Sequence, residues 1–139
     1  MTQINPYLGL NGKCREAMEF YKGCFGGELT LQPVKGSPME AQCPPAMENQ
    51  VLHAMLQNGS ILLFGTDMVN PKGYQNGSAV SLSLNCSSEE EIRKYFAYLS
   101  EQGEIIEPLK DQFWGAIFGC LNDKFGINWM LNFDKSQAA

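Results

Sequence analysis

Larger apolar side chains alternate from Ile4 to Leu10, with Leu8 and Leu10 on one side, so the chain is expected to open on a strand that Asn11-Gly12 breaks. The period then lengthens. Cys14, Ala17, Met18, Tyr21, Cys24 and Phe25 recur at three- and four-residue spacing, which predicts a helix stopped by Gly26-Gly27. Glu28 to Val34 reads as a second strand, ended by Pro33 and the Gly36-Ser37-Pro38 turn. From Lys35 to Asn49 proline and polar residues dominate, which predicts an excursion over the surface. Val51 to Gln57 and Ser60 to Gly65 read as two strands joined at Asn58-Gly59, a dipeptide in which both residues tolerate positive φ.

The second half repeats this order after a turn-rich linker at about 69–77. Val80 to Leu84 alternates as a strand, and Ser88 with Glu91 three residues on forms a capping box. Ile92, Tyr95, Phe96 and Leu99 give the buried stripe of a helix expected to stop at Gly103. Strands follow at Glu104 to Leu109, Trp114 to Leu121 and Ile127 to Phe133. Laid over each other, Tyr7-Leu8-Gly9-Leu10-Asn11 matches Ser81-Leu82-Ser83-Leu84-Asn85, and Gly27-Glu28-Leu29 matches Gly103-Glu104-Ile105. The expected fold is α+β: two βαβββ modules, about 1–68 and 78–134 with a short tail at 135–139, form one domain of curved mixed sheets around a cavity, with the helices outside.

Composition narrows the function classes. With 44% hydrophobic and 18% charged residues the chain is globular. A net charge of −5 and scattered basic residues offer no counterion-releasing patch, so no nucleic-acid partner is expected. No apolar run reaches the length of about 18 residues needed to cross a bilayer, so no membrane association and a cytoplasmic location are expected. Five cysteines without CxxC spacing suggest neither a disulfide framework nor a zinc knuckle, and most are read as small buried hydrophobes.

Asn5-Pro6-Tyr7-Leu8, Ala17-Met18-Glu19-Phe20-Tyr21, Phe25-Gly26-Gly27-Glu28, His53-Ala54-Met55-Leu56, Phe113-Trp114-Gly115 and Asp123-Lys124-Phe125-Gly126-Ile127-Asn128-Trp129-Met130 resemble the PhnB-like branch of the vicinal oxygen chelate (glyoxalase/bleomycin resistance/dioxygenase) superfamily. The segments run nearly end to end. The resemblance implies a cavity inside each sheet and, in metal-using relatives, a divalent ion held by His or Glu from the first and last strands of each module. Here the opening-strand position falls at Asn5, Pro6 or Tyr7, and that of the fifth strand at Ser78 or Ala79. Alignment through Gly59 and Gly126 puts Leu63 and Met130 at the other two. Such groups do not replace hard carboxylates, so no metal and no cofactor are expected. A methyltransferase label sometimes attached to the family finds no Gly-rich nucleotide turn here.

The pocket candidates are Tyr7, His53, Met55, Gln57, Ser81, Ser83, Phe113 and Trp114. His53, the one histidine, serves either as an acid, base or ligand anchor or as an ordinary strand residue. Tyr7, Ser81 and Ser83 alternate with leucines, so they line the cavity or bond locally between strands. Phe113 and Trp114 stack on a planar ligand or fill the core, whereas Trp129 reads as core. Glu89-Glu90-Glu91 reads as a first helical turn favoured by the dipole. The leading reading is a metal-free homodimer that binds a small molecule; the alternative is a lyase, isomerase or dioxygenase with a degenerate metal site, for which His53, Glu48 or Asp67 would be the base.

Overall fold

The computed structural model describes residues 2–69 and 72–137. Asn70 and Pro71 of the expected linker, and Ala138 and Ala139 of the expected tail, lie outside the described residues. The chain divides into two compact units, Met1–Gln75 and Asn76–Ala139, and the division falls inside the stretch read as a linker.

In the first unit β1 (Tyr7–Gly9) leads to α1 (Cys14–Phe25), then to β2 (Glu28–Pro33), β3 (Val51–Asn58) and β4 (Ile61–Thr66). The strand order is β1-β4-β3-β2, with β1 parallel to β4 and the other neighbours antiparallel. The apolar stripe predicted for α1 is buried in full. It covers the sheet face carrying Leu8, Ala54, Leu56 and Leu63. A Cβ added at Gly65 on that face would lie 3.0 Å from Met18 Sδ and 3.2 Å from Cys14 Sγ, so helix and sheet approach closely there. Between β2 and β3 the chain makes two short 3-10 turns, Glu40–Gln42 and Pro45–Met47, where the surface excursion was expected.

The hairpin joining β3 to β4 sits one residue later than its sequence suggests. Asn58 pairs with Ile61, so the loop is Gly59-Ser60, and of these Gly59 alone has positive φ. Asn58 stays in the strand and its Nδ2 donates to the carbonyl of Phe25 at 2.6 Å, tying the hairpin to the end of α1.

Helix α1 has Lys13 at its N-cap, which supplies no side-chain hydrogen bond. A buried carboxylate from elsewhere replaces it. Asp67, just after β4, accepts from the backbone N–H groups of Gly12 and Cys14 on Oδ1 and from that of Val51 on Oδ2, each at 2.8 Å. One side chain therefore holds the start of α1, the first residue of β3 and the exit of β4, and its charge complements the helix dipole.

The second unit repeats the plan with β5 (Leu82–Asn85), α2 (Glu89–Leu99), β6 (Glu104–Asp111), β7 (Ala116–Asn122) and β8 (Asn128–Asp134), in the order β5-β8-β7-β6. Strand β5 is parallel to β8 and the rest are antiparallel. The architecture is α+β, two βαβββ modules, each with an open four-stranded mixed sheet covered on one face by its helix.

Backbone bonds correct the register of the duplication. The Leu10 N–H donates to the Thr66 carbonyl and the Cys86 N–H to the Asn132 carbonyl. Leu8 therefore corresponds to Leu84, two residues beyond the match read from sequence, and Tyr7 corresponds to Ser83. Ser88 caps the helix as expected, its Oγ accepting from the Glu91 N–H at 3.1 Å, while Glu91 Oε1 reaches one residue past the N-cap and accepts from the Ser87 N–H at 2.9 Å. Helix α2 ends at Leu99, short of Gly103, and Gln102 takes a positive φ before β6.

Candidate functional site

On a strand, alternate residues share a face. With Leu8, Leu63, Gly65, Ala54 and Leu56 turned to α1, the opposite face of the first sheet carries Tyr7, Phe64, His53, Met55 and Gln57. Register places Tyr7 beside Phe64 and Phe64 beside Met55. The Tyr7 hydroxyl and His53 Nδ1 are 2.9 Å apart. Ring centroids are separated by 5.6 Å for Tyr7 and His53, 5.7 Å for Tyr7 and Phe64, and 5.4 Å for His53 and Phe64. Three rings on three strands thus make one continuous aromatic surface, with Tyr7 still 54% exposed. Partial burial, and secondarily the neighbouring Cys14, raises the Tyr7 phenol above its ordinary pKa, so it is a hydroxyl donor at neutral pH.

Four of the predicted site residues are therefore brought onto one face, and Phe64 joins them. Sequence reasoning missed Phe64 because the two final strands were aligned through Gly59 and Gly126, which stand at different places in loops of unequal length. The signal available was the alternation Leu62, Phe64, Thr66 along its strand.

The remaining candidates lie in the second unit. Ser83 is exposed on the face of β5 opposite α2, beside Met130, while Ser81 precedes the strand. Phe113 and Trp114 are neither core nor strand. They are the central residues of the β6–β7 turn, closed by the Gly115 N–H donating to the Gln112 carbonyl at 3.1 Å. Phe113 is 97% and Trp114 55% exposed, the two rings meeting edge to face at 5.0 Å. The open face of this second sheet is amide-rich, with Asn85, Asn132, Asn128 and Asn122 on neighbouring strands.

Several other potential reactive groups are committed elsewhere. Asp67 is occupied by three backbone donors. Glu89 pairs with Arg93 at 2.9 Å and Glu91 accepts from the Ser87 N–H. Burial pushes the Cys14 thiol up to about 12, helped by Asp67 and opposed by Arg15. Burial and then Glu91 do the same for Cys86. Neither supplies a thiolate at neutral pH.

The sequence profile of the Glyoxalase/Bleomycin resistance protein/Dioxygenase superfamily matches residues 3–131. The chain belongs to this superfamily. Protein YjdN of Escherichia coli is 31% identical over 96% of this chain and 97% of its own length. The crystal structure of protein PA1353 from Pseudomonas aeruginosa superposes with a TM-score of 0.85 at 38% identity, covering 96% of this chain and 98% of that one. A PhnB protein from Bacillus cereus, described as a putative 3-demethylubiquinone-9 3-methyltransferase, gives 0.74 at 28% identity over 95% and 99% of the two chains.

Two segments that carried the superfamily resemblance have structural explanations. Asp123 is buried; its Oδ1 accepts from the N–H groups of Phe125 and Ile127 at 2.8 and 3.1 Å, and its Oδ2 from Trp129 Nε1 at 2.9 Å. With Gly126 at a positive φ, the Asp-Lys-Phe-Gly-x-x-Trp segment is a self-bonded turn that anchors a core tryptophan. In Phe-Trp-Gly, Gly115 takes the positive φ its turn requires.

The residues do not fit the divalent ion that superfamily membership implies. The hydrogen-bonded equivalence replaces Leu63 by Phe64, since Phe64 faces Tyr7 as Met130 faces Ser83. Phenol and phenyl in the first unit are a poor donor set for a hard cation, and so are hydroxyl and thioether in the second. Among the described residues no three His, Cys, Asp or Glu side chains cluster as a metal site.

Proposed function

We propose that this superfamily member binds a small, planar, partly apolar and uncharged molecule on the open face of its first sheet, without a divalent ion. The aromatic surface of Tyr7, His53 and Phe64 at the position of a metal site carries the reading. Stacking rewards a flat ligand, and the absence of Lys and Arg from these strand positions removes the attraction for an anion. Calorimetric titration with neutral tricyclic aromatics is expected to give saturable binding that Phe64→Ala weakens about three- to tenfold in a folded protein. Protein purified without chelator is expected to hold no stoichiometric divalent ion by elemental analysis. One metal per chain, lost on Tyr7→Phe or His53→Ala, would sink the reading.

We also propose a homodimer in a reducing, cytoplasmic setting. Five free thiols support the compartment. Edge strand β6, with Ile105 and Ile106 about half exposed, supports association, since apolar edges are costly to leave in water. Light scattering at micromolar concentration is expected to give twice the 15.4 kDa chain mass. A monomer throughout that range refutes it. No helix among the described residues is long and apolar enough to cross a membrane.

A further inference from the structure

We infer that Tyr7 is a positioning residue that holds His53 as its Nε2–H tautomer, so that His53 meets a ligand as a hydrogen-bond donor and not as a base, and the ligand carries a carbonyl or comparable neutral acceptor.

The 2.9 Å contact between the Tyr7 hydroxyl and His53 Nδ1 has two possible directions. A phenol O–H is far more acidic than a neutral imidazole N–H, and an imidazole nitrogen lone pair is far more basic than a phenol oxygen. The proton therefore lies on Tyr7 and points at Nδ1, which leaves the ring proton on Nε2. The raised phenol supports this by keeping Tyr7 protonated. Among the described residues Tyr7 is the hydrogen-bond partner of the His53 side chain. No buried side-chain nitrogen or oxygen there lacks a partner, so the unpartnered Nε2 reaches solvent. The pair thus offers an open N–H donor beside the Phe64 ring, with its basic nitrogen already occupied. A flat molecule stacked on the Phe64 ring satisfies the donor of the tilted His53 ring beside it if it brings an acceptor in its own plane, as an aromatic ketone or amide does.

This deepens the reading of the first-sheet face as a planar-ligand site, and the test separates the two. Because the chain has one histidine, its ring nitrogen resonances are unambiguous in labelled protein. At about pH 8.5, above the ordinary histidine range, the Nε2–H tautomer is expected almost alone, and Tyr7→Phe is expected to raise the share of the Nδ1–H form. A parent protein dominated by Nδ1–H, or equal tautomer populations in parent and Tyr7→Phe, overturns the inference. In parallel, 9-fluorenone is compared with fluorene, which differs by the carbonyl alone. Fluorenone is expected to bind about fivefold more tightly, the worth of one neutral hydrogen bond, and His53→Phe should close that gap. Equal affinities in the parent overturn the donor role. If neither compound binds, the planar-ligand reading fails, while the ring spectrum still decides the tautomer.

Discussion

Replacing Asp67 by alanine is expected to lower the stability of the first unit by about 4 kcal/mol. Three backbone N–H groups, those of Gly12, Cys14 and Val51, lose a charged acceptor together. Hydrogen bonds to charged groups contribute about 1.5–3 kcal/mol each, and water entering the vacated space recovers part of the sum. Asparagine would not rescue it, because its NH₂ would point a donor at one of the three donors. The loss is measured by urea unfolding followed by far-ultraviolet circular dichroism. Trp114 and Trp129 both belong to the second unit, so circular dichroism is the readout that includes α1 and its sheet. A change below about 1 kcal/mol would mean that α1 caps itself in some other way.

Gly27→Ala is expected to cost about 3 kcal/mol, for two reasons that act together. Gly27 has φ +90°, and a Cβ built there would lie 2.3 Å from the Gln57 carbonyl oxygen and 2.6 Å from Asn58 Cβ. The first is backbone and the second is bonded directly to backbone, so no flexible group can yield. Gly103 provides an internal control: its φ is not in the strained region, yet a Cβ would lie 2.3 Å from the Asn122 carbonyl oxygen. If contact dominates, Gly103→Ala destabilises the second unit comparably; if φ dominates, it is nearly neutral. Denaturant midpoints of the two variants decide between these outcomes.

The paired glycines show why the fold was legible. The turn from helix to edge strand passes so close to the neighbouring hairpin that both modules use glycine there, and the repeat is visible in the letters. The helical stripes were equally plain, because Cys14, Ala17, Met18 and Tyr21 cover a sheet and any lapse in spacing would expose apolar surface. The pins were not legible. Asp67 and Asp123 look like ordinary loop acids until folding brings distant N–H groups to them. Trp114 reads as the start of a strand because an apolar letter beside a strand resembles its continuation, but it belongs to the turn before β7, where Gly115 takes the positive φ. Alternation sets Tyr7 opposite Leu8 and puts His53, Met55 and Gln57 on one side of their strand, and the sheet register brings the two sets onto one face. Phe64 was missed because alternation does not supply the register between modules.

The shortest strand is also the one with the farthest to travel. Three-residue β1 pairs in parallel with β4, and every other neighbour of β4 is a local hairpin. Closing that loop costs chain entropy before any contact repays it, so β1 is expected to dock after α1 and the β2–β3–β4 meander have formed. Tyr7 meets His53, 46 residues away, only at that last step. Ligand competence should therefore lag behind the recovery of secondary structure during refolding, and a bound ligand should slow unfolding chiefly by keeping β1 in place.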